Sequence, residues 1–271
     1  MDISQINAIG RTAWEVAALR AAESERPDRL FTDPYAALFL DAAGIPMEPD
    51  PAKQDLVAIL GEQAAVRTRF LDETLLAAGC RQAVLVASGM DSRAYRLEWP
   101  AGTEVFELDQ EPVLRFKQEV MVAHPARAVH HPVDVDLRAD WPPLLRQAGF
   151  RPDEPTAWLA EGLLYALDAG AADGLLDAIT GLSAPGSVLA FDHVQDSAAL
   201  RAALTRISPG LAALWQSGPI DPEDWLRGHG WTPEVSELAQ VANSYGRGVH
   251  PAYDPATEGA AHSWLARATR T

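Results

Sequence analysis

Cysteine and lysine are almost missing from this chain of 271 residues. Cys80 is the only cysteine, which excludes an intrachain disulfide and leaves no ligand set of the usual kind for a structural zinc ion. Lysine occurs only as Lys53 and Lys117, and the formal net charge is -16. Because of the single cysteine, we expect no metal site. Proteins that bind nucleic acids need clustered basic residues, so we also expect no nucleic-acid partner.

Long apolar stretches are also missing. No segment reaches the roughly 18 consecutive apolar residues of a membrane span, and the start of the sequence lacks the basic and apolar regions of a signal peptide. We therefore expect no membrane partner and a reducing, cytoplasmic location. Apolar residues still make up 48% of the chain, which is enough to fill the core of one large α/β domain or two small ones.

Two short apolar runs, residues 83–86 and 105–108, have the pattern of buried parallel strands. The first run is followed by the small residues 87–89, and the second by Asp109, twenty residues after Gly89. Small residues let a ligand approach the backbone, and an acid at this distance can accept hydrogen bonds from both hydroxyls of a ribose. The pattern indicates a nucleoside site, whereas the small residues alone would also fit an ordinary turn.

Strand and helix patterns alternate from residue 79 onward, with further strand patterns around residues 128–137, 157–162 and 187–193. This alternation predicts an α/β fold with a parallel sheet and right-handed crossovers. Ligands bind at the carboxyl ends of the strands in such sheets. The candidate residues at these ends are Gly89, Asp109, Asp136, Glu161 and His193.

Helical patterns precede and interrupt this alternation, and we interpret the chain as a single domain with four parts. Residues 1–78 predict an N-terminal helical cap, and residues 79–194 the core that binds the ligand. Residues 195–230 predict a helical insertion that covers the site as a lid. Residues 231–271 predict two strands that pair at the edge of the sheet.

Arginine and aromatic residues supply further candidates. Arg67 and Arg69 lie two positions apart on a helix, so at most one points at the strand ends. A surface ion pair is the ordinary role of one arginine, and binding a ligand carboxylate is the alternative. Four aromatic residues are candidates to line an apolar acceptor cavity, although core packing is the commoner role; they are Trp14, Tyr165, Trp215, which we expect to be exposed, and Trp225.

Residues 86–97, VASGMDSRAYRL, resemble the L-G-A-G-L-D-T-R-A-Y-R-L signature of the leucine carboxyl methyltransferase-like family. Residues 20–36, 105–110, 136–141 and 158–164 are similar to other blocks of this family of class I S-adenosylmethionine-dependent methyltransferases. The resemblance implies a Rossmann-like fold with a mostly parallel seven-stranded sheet. It also implies S-adenosyl-L-methionine as the cofactor.

The resemblance implies a role for each matching residue at the nucleoside half of the cofactor. Asp109, with Gln110 beside it, would bind the ribose. Asp136 and Leu137 would contact the adenine.

The methionine half of the cofactor would be bound by a second set of residues. Glu161 would lie beside the sulfonium and the amino group, with helix capping or an arginine pair as the alternative role. Arg67, and Arg20 as a second candidate, would bind the methionine carboxylate. The residues that would pack against the methionine part are Ala87, Ser88, Gly89 and Asp91.

The sequence departs from the family at two positions. Ala87 replaces the first glycine of the signature. Tyr165 stands one place before the position of Ala166, where family members more often have a tyrosine, and one place turns a side chain by about 100° on a helix. Tyr165 is therefore a catalytic candidate without an assigned role. His193 is the candidate general base for a hydroxyl acceptor, with a structural histidine as the alternative.

Three functions are compatible with these patterns. We expect a small-molecule O-methyltransferase of secondary metabolism, of the bacterial polyketide type, whose acceptor is a hydroxyl or a carboxylate. A protein or peptide carboxyl methyltransferase and a noncatalytic cofactor-binding protein are the alternatives, and the oligomeric state is open. The missing G-x-G-x-x-G after the first strand weighs against a dehydrogenase.

Overall fold

The fold is built on one seven-stranded sheet within the residues that the computed structural model describes, which are 8–45, 51–197, 200–202, 205, 215–216 and 218–271. The strands are β1 (Gln82–Val86), β2 (Glu104–Asp109), β3 (Val129–Asp134), β4 (Thr156–Ala160), β5 (Val188–Val194), β6 (Trp231–Glu237) and β7 (Ser263–Arg270). Their order is β3-β2-β1-β4-β5-β7-β6. The pairs β5–β7 and β7–β6 are antiparallel, because β7 runs opposite to the other strands of this sheet, and the remaining pairs are parallel. The predicted Rossmann-like, mostly parallel sheet is confirmed.

The order of strands reverses at β1. The chain adds β2 and β3 on one side of β1, and β4 then pairs with the other side. At such a reversal the loops that leave the carboxyl ends of the strands diverge, and a crevice opens between them. The ends of β1, β2 and β4 therefore frame the position where a ligand is expected.

Side chains alternate between the two faces of the sheet and so divide the core in two. The helices are α1 (Ala8–Ser24), α2 (Ala36–Ala42), α3 (Pro51–Ala77), α4 (Arg93–Arg96), α5 (Glu111–Met121), α6 (Pro142–Gln147), α7 (Ala169–Gly181), α8 (Pro222–Gly228) and α9 (Leu238–Ser244). Leu85 and Leu159 face α1, α2, α3 and α5, whereas Val84 and Trp158 face α6, α7 and α8. None of the helices in the described ranges is both long and apolar enough to cross a bilayer.

The segment predicted as an N-terminal helical cap, residues 1–78, contains α1, α2 and α3 among the described residues. The first ends at Ser24, just before Pro27, which cannot continue a helix. Asp33 stabilises the start of the second, because its Oδ1 accepts hydrogen bonds from the backbone N–H groups of Tyr35 and Ala36 at 3.1 Å. These helices stack on the face of the sheet that carries Leu85 and lead to the carboxyl ends of the strands.

The C-terminal segment confirms the predicted pair of strands, with Trp231 opposite Arg270, although β7 lies inside the sheet and only β6 is at its edge. The predicted lid, residues 195–230, contains α8. That helix packs beside α7, because Trp225 contacts the ring of Phe191 and its Nε1–H donates to Asp173 at 2.8 Å. Residues 198–199, 203–204, 206–214 and 217 of the lid lie outside the described residues.

Candidate functional site

The turn after β1 is bound to the end of β2. Ala87 and Gly89 have positive φ angles of 51° and 48°, so the chain turns sharply where the strand ends. The Ser88 N–H donates to the Leu108 carbonyl at 3.0 Å, and the Gly89 N–H donates to Oδ2 of Asp109 at 2.7 Å. The two parts of the predicted nucleoside site are therefore in contact.

Asp109 presents a half-buried carboxylate at the tip of β2. Its Oδ2 accepts the bond from Gly89, and its Oδ1 accepts a bond from the backbone N–H of Gln110 at 2.8 Å. Burial raises the pKa of Asp109, and these two N–H donors oppose the rise. Each carboxylate oxygen can accept a second hydrogen bond, so both could still bind a hydroxyl.

Glu161, the residue after β4, is the meeting point of three arginines. Its Oε1 accepts hydrogen bonds from Nη2 of Arg20 at 2.9 Å and from Nε of Arg67 at 3.0 Å. Its Oε2 accepts a bond from Nη1 of Arg93 at 2.6 Å. Burial alone would raise the pKa of Glu161, but the three guanidinium groups hold it well below its usual range. The arginine pairing that the sequence left open as an alternative role of Glu161 is present, and it joins Arg20 and Arg67, the two arginines predicted to bind the methionine carboxylate, to this acid.

Asp192 continues this ion-pair network to the end of β5. Its Oδ2 accepts a bond from Nη1 of Arg67 at 3.1 Å, and its Oδ1 accepts one from the Gly162 N–H at 2.6 Å. Burial raises the pKa of Asp192 in spite of the nearby guanidinium. The sequence analysis passed over Asp192 in favour of His193. The alternation of side chains along β5 could have identified Asp192, because this alternation places its side chain on the face of the sheet that packs against α3.

Arg93 ties the signature loop to the third helix. Its side chain is fully buried and pairs with Asp91, Asp72 and Glu161. Both oxygens of Asp91 accept bonds from Arg93, one from the backbone N–H and one from the guanidinium. Asp72 also pairs with Arg96 at 2.5 Å. The structure thus places Asp91 at the site as a partner of Arg93.

Asp136 and Leu137 follow β3 at the same edge of the sheet. The backbone N–H of Val135 donates to the Asp109 carbonyl at 2.9 Å, which brings this segment beside the ribose candidate. Asp136 is half-exposed and pairs with Arg138 at 2.6 Å, a hydrogen bond that lowers the pKa of Asp136 to about 2. Leu137 packs partly against the core. Their positions fit the predicted contact with a base bound next to Asp109.

His193 is separated from the acidic cluster by the sheet itself. Adjacent residues of a strand point to opposite faces, so His193 points away from Arg67 while Asp192 faces it. The imidazole is fully buried, and its ring stacks on Trp264 at 5.8 Å. A Cβ at Gly218 would lie 2.5 Å from its Cε1, so the backbone of that residue closes over the ring. The structure does not bring the predicted base together with Glu161.

Tyr165 lies on the turn after Glu161 and stacks on Trp215, with 4.3 Å between ring centres. The expectation that Trp215 is exposed is wrong, because only 9% of it is accessible and the backbone of the next residue, Gln216, donates to the Tyr165 carbonyl at 2.8 Å. Burial raises the pKa of Tyr165 to about 12. The phenol is therefore protonated at neutral pH and can donate a hydrogen bond.

Trp14 and Trp225 pack in the core, which was the alternative to lining an acceptor cavity. Trp14 is buried and its ring contacts Phe116 edge-on at 5.4 Å. Trp225 packs on the far face of the sheet, as described above. Of the four aromatic candidates, Tyr165 and Trp215 are the ones next to the acidic cluster.

The residues at this edge fit S-adenosylmethionine. Gly89 leaves no room for a side chain, because a Cβ there would lie 2.9 Å from the Cβ of Ala13 on α1, so the turn presents bare backbone at the end of β1. The buried Ser88 Oγ has no hydrogen-bond partner among the described residues, which suits a site completed by a polar ligand. Carboxylates and guanidinium groups together match a ligand with hydroxyls, an ammonium and a carboxylate.

A second concave region lies at the opposite edge of the sheet. This open groove of about 730 Å³ is formed where the strands begin, and Cys80, Arg81, Glu104 and Arg151 are among the residues that line it. Arg151 is already paired with Glu104 at 2.8 Å and with Glu154 at 2.6 Å. We assign the site to the carboxyl edge because the orphaned Ser88 hydroxyl and the convergent acids are there. In the described part of the chain, no group of three or more His, Cys, Asp or Glu residues could bind a metal.

Comparison with known sequences finds one family and close relatives. The profile of the family described as leucine carboxyl methyltransferase matches residues 13–180. A protein of Rhodococcus jostii, named as an S-adenosyl-L-methionine-dependent methyltransferase, is 43% identical over 264 residues, which cover 90% of this chain and 90% of that protein. A similarly named protein of Mycolicibacterium smegmatis is 45% identical over 265 residues, with 88% of each chain covered.

Solved structures show the same architecture at low sequence identity. A DUF574 family protein of Streptomyces avermitilis superposes with a TM-score of 0.57 at 16% identity, covering 94% of this chain and 97% of that one. At this identity the likeness shows the fold alone.

Proposed function

Because the chain belongs to the leucine carboxyl methyltransferase family of S-adenosylmethionine-dependent methyltransferases, we propose that it methylates an oxygen atom of a small molecule, a hydroxyl or a carboxylate, in secondary metabolism. The observation that carries this proposal is the stacked pair Tyr165 and Trp215 beside the Glu161 cluster. An aromatic wall next to the position of the reacting methyl group suits an apolar organic acceptor. The net charge of -16 disfavours polyanionic acceptors.

The proposed residues for the nucleoside half are those at the ends of β2 and β3. Asp109 would accept the ribose hydroxyls, and the segment of Gln110, Asp136 and Leu137 would surround the base. The hydrogen bond from Gly89 to Asp109 supports this role, because it fixes the carboxylate beside the turn where the backbone is bare.

The proposed residues for the methionine half are the ion-pair network around Glu161. Arg67 contacts Glu161 with Nε and Asp192 with Nη1, so one guanidinium bridges two carboxylates. An amino acid carries an ammonium and a carboxylate on one molecule. Its ammonium could replace a guanidinium at Oε1 of Glu161, and its carboxylate could then bind the released arginines, Arg67 and Arg20. Ala87, Ser88 and Gly89 would pack against its chain.

When bound, S-adenosylmethionine supplies an electrophilic methyl group on a positively charged sulfur. Glu161 provides negative charge beside that position, and Tyr165 with Trp215 would exclude water from it. A carboxylate acceptor is already ionised and needs only to be oriented, for which the protonated Tyr165 hydroxyl is a suitable donor. A hydroxyl acceptor benefits from a base, and His193 is the residue predicted for that role from the sequence, although it is buried on the opposite face of the sheet from Asp192.

The role of His193 can be tested with the His193→Ala variant. If the histidine is the base, the rate with a hydroxyl acceptor falls by about 100-fold, which is the typical contribution of a positioned base. A full rate from pH 6 to pH 9 would exclude that role. Burial between Trp264 and Gly218 would then be the whole function of the side chain.

A protein or peptide carboxylate is the second candidate acceptor, because the matching family is described as leucine carboxyl methyltransferase. Such an acceptor requires an open groove above Glu161. The described residues 216 and 218 lie against the turn that follows Glu161, because the backbone N–H of Gln216 donates to the Tyr165 carbonyl and that of Gly218 donates to the Leu167 carbonyl. These contacts narrow the space above Glu161, which favours a small-molecule acceptor over a protein or peptide.

The acceptor can be identified with S-adenosylmethionine labelled in its methyl group and an extract of the producing organism. We expect label in the fraction below about 3 kDa, and none with the Asp109→Ala control. Mild alkali then separates methyl esters, which are hydrolysed, from methyl ethers, which are stable. Label in the protein fraction would support the second candidate. Cofactor binding without any labelled product would favour a noncatalytic protein.

A further inference from the structure

Lys117 is a fully enclosed cation outside the network around Glu161. It is one of two lysines in a chain with 22 basic residues, and only 1% of its side chain is accessible. It projects from α5 toward the sheet, where its Nζ lies 2.9 Å from Oε2 of Glu107 on β2. Glu107 is also completely inaccessible. Two opposite charges are thus buried together beneath the cofactor edge.

Two further side chains extend this pair. Nε2 of His130 on β3 lies 3.0 Å from the same Oε2 of Glu107. Nδ1 of His130 is 3.2 Å from the hydroxyl of Tyr95 on α4. The positive charge of Lys117, followed by that of His130 when protonated, lowers the pKa of Glu107 against the effect of burial. The glutamate is therefore ionised at neutral pH.

The pair lies directly below Asp109. Glu107 and Asp109 are two positions apart on β2, so their side chains project from the same face of the strand, about 7 Å apart. The charged groups that act on Asp109 are Glu107 on β2 and Lys117 on α5, and Asp134 lies opposite Asp109 on β3. Lys117 also acts on Asp91 in the turn after β1, whose carboxylate is paired with Arg93, and His130 on β3 contacts Glu107.

Burial of an ion pair rarely improves stability over apolar side chains of the same size, so its presence calls for another reason. We propose that Lys117, held beneath the end of β2 by its ion pair with Glu107, is a positioning residue for cofactor binding that keeps Asp109 ionised and ready to accept the ribose hydroxyls. This inference rests on the proposed role of Asp109. Burial works against the ionised form of Asp109, Glu107 adds to that effect, and Lys117 opposes it.

The two charges should act on cofactor binding in opposite directions. Loss of the Lys117 charge raises the pKa of Asp109, so affinity is lost at a higher pH as the solution is acidified. Loss of the Glu107 charge lowers that pKa, so affinity persists to a lower pH. A unit charge about 7 Å away at an effective dielectric constant of about 20 shifts a pKa by more than one unit. A purely structural pair would weaken binding equally at every pH.

The experiment is calorimetric titration with S-adenosylhomocysteine from pH 5 to pH 8.5. The proteins are the wild type, Lys117→Met, Glu107→Gln, the double variant and Asp109→Asn. We expect the pH at which affinity is half lost to rise by about one unit in Lys117→Met and to fall in Glu107→Gln. The double variant, which is neutral and similar in shape, should return close to the wild type and serves if a single variant does not fold.

The outcomes distinguish the proposed ribose role of Asp109 from the proposed role of Lys117. Asp109→Asn binding as tightly as the wild type at every pH would overturn the proposed ribose role of Asp109. Weak, pH-independent binding by Asp109→Asn together with unshifted midpoints in the Lys117 and Glu107 variants would overturn this inference alone. Midpoints that move in the same direction would also overturn it. Opposite shifts would support both.

Discussion

Ala87 adopts a backbone conformation, with φ at 51°, that glycine accommodates much better than alanine. The sequence already marks this position, because Ala87 stands where the resembling family has its first glycine. A left-handed conformation costs a residue with a Cβ roughly 1–2 kcal/mol, and the greater freedom of glycine in the unfolded chain offsets part of this.

We expect Ala87→Gly to raise the free energy of unfolding by up to about 1 kcal/mol, measured by urea denaturation. Ala178→Gly, in the regular helix α7, is the matched control and should lower it by about 1 kcal/mol. Equal losses in both variants would show that Ala87 is not strained.

Glu161 and Asp192 make a second test at the scale of single residues, because burial and arginines shift their pKa values in opposite directions. A carboxyl with a lowered pKa adds stability that is present above its unfolded value, about 4.3, and is lost as the pH falls through the folded value. A carboxyl with a raised pKa has the opposite effect, because stability declines as the pH rises from its unfolded pKa to its folded pKa.

Glu161→Gln should therefore lose roughly 3 kcal/mol of stability at pH 7 and less at pH 4, because three guanidinium groups lose their shared partner. Asp192→Asn should compare more favourably with the wild type at pH 7 than at pH 4. Urea denaturation at both values measures the difference. The same pH trend in the two variants would contradict the assigned network.

At the scale of elements, the packing of α1 on the turn after β1 is the contact that closes the cap over the site. Gly89→Ala introduces a Cβ 2.9 Å from the Cβ of Ala13 and also strains a backbone at φ 48°. We expect a loss of about 1–3 kcal/mol in unfolding free energy and a weaker affinity for S-adenosylhomocysteine.

The second variant Ala13→Gly separates the two causes. Combined with Gly89→Ala it removes the close contact but not the backbone strain, so it should restore part of the affinity. Full restoration would show that only the helix contact matters. No effect of Gly89→Ala on affinity would contradict the placement of the cofactor at this turn.

Elements defined by local pattern were predictable, and the contacts between distant elements were not. Short apolar runs ending in small or acidic residues gave β1, β2 and β4, because burial dictates their composition. The pairing of Arg20 with Glu161 joins residues 141 positions apart, and no local pattern contains it. The sequence predicted that at most one of Arg67 and Arg69 points at the strand ends, but their spacing alone could not say which. In the structure Arg69 is paired with Glu73 on α3.

The positions of the candidate site residues could be predicted from the sequence only where the resemblance to the family covered them. Asp109 and Glu161 lie at the strand ends where the cofactor pattern put them. Asp192 was missed because its neighbour His193 is the more familiar base, and only the choice of sheet face distinguishes them. The network of Lys117 was missed because a buried lysine in an amphipathic helix looks like a surface residue in the sequence.

For the whole molecule, a ligand that binds only the folded state must raise its stability. At a concentration 100 times its Kd, S-adenosylhomocysteine should add about 2.7 kcal/mol. For a chain of this size that corresponds to a rise in Tm of about 5–10 °C. Asp109→Asn at the same concentration should show a much smaller rise. A thermal melt without any ligand-dependent shift would contradict the cofactor assignment.

The central claim is that the acids at the carboxyl edge of the sheet bind the adenosyl group. The most direct measurement is a crystal structure of the protein with S-adenosylhomocysteine. The account predicts the ribose hydroxyls within hydrogen-bonding distance of Asp109 and the amino group beside Glu161. A ligand bound instead in the groove of about 730 Å³ near Arg81 and Arg151, where the strands begin, would contradict it.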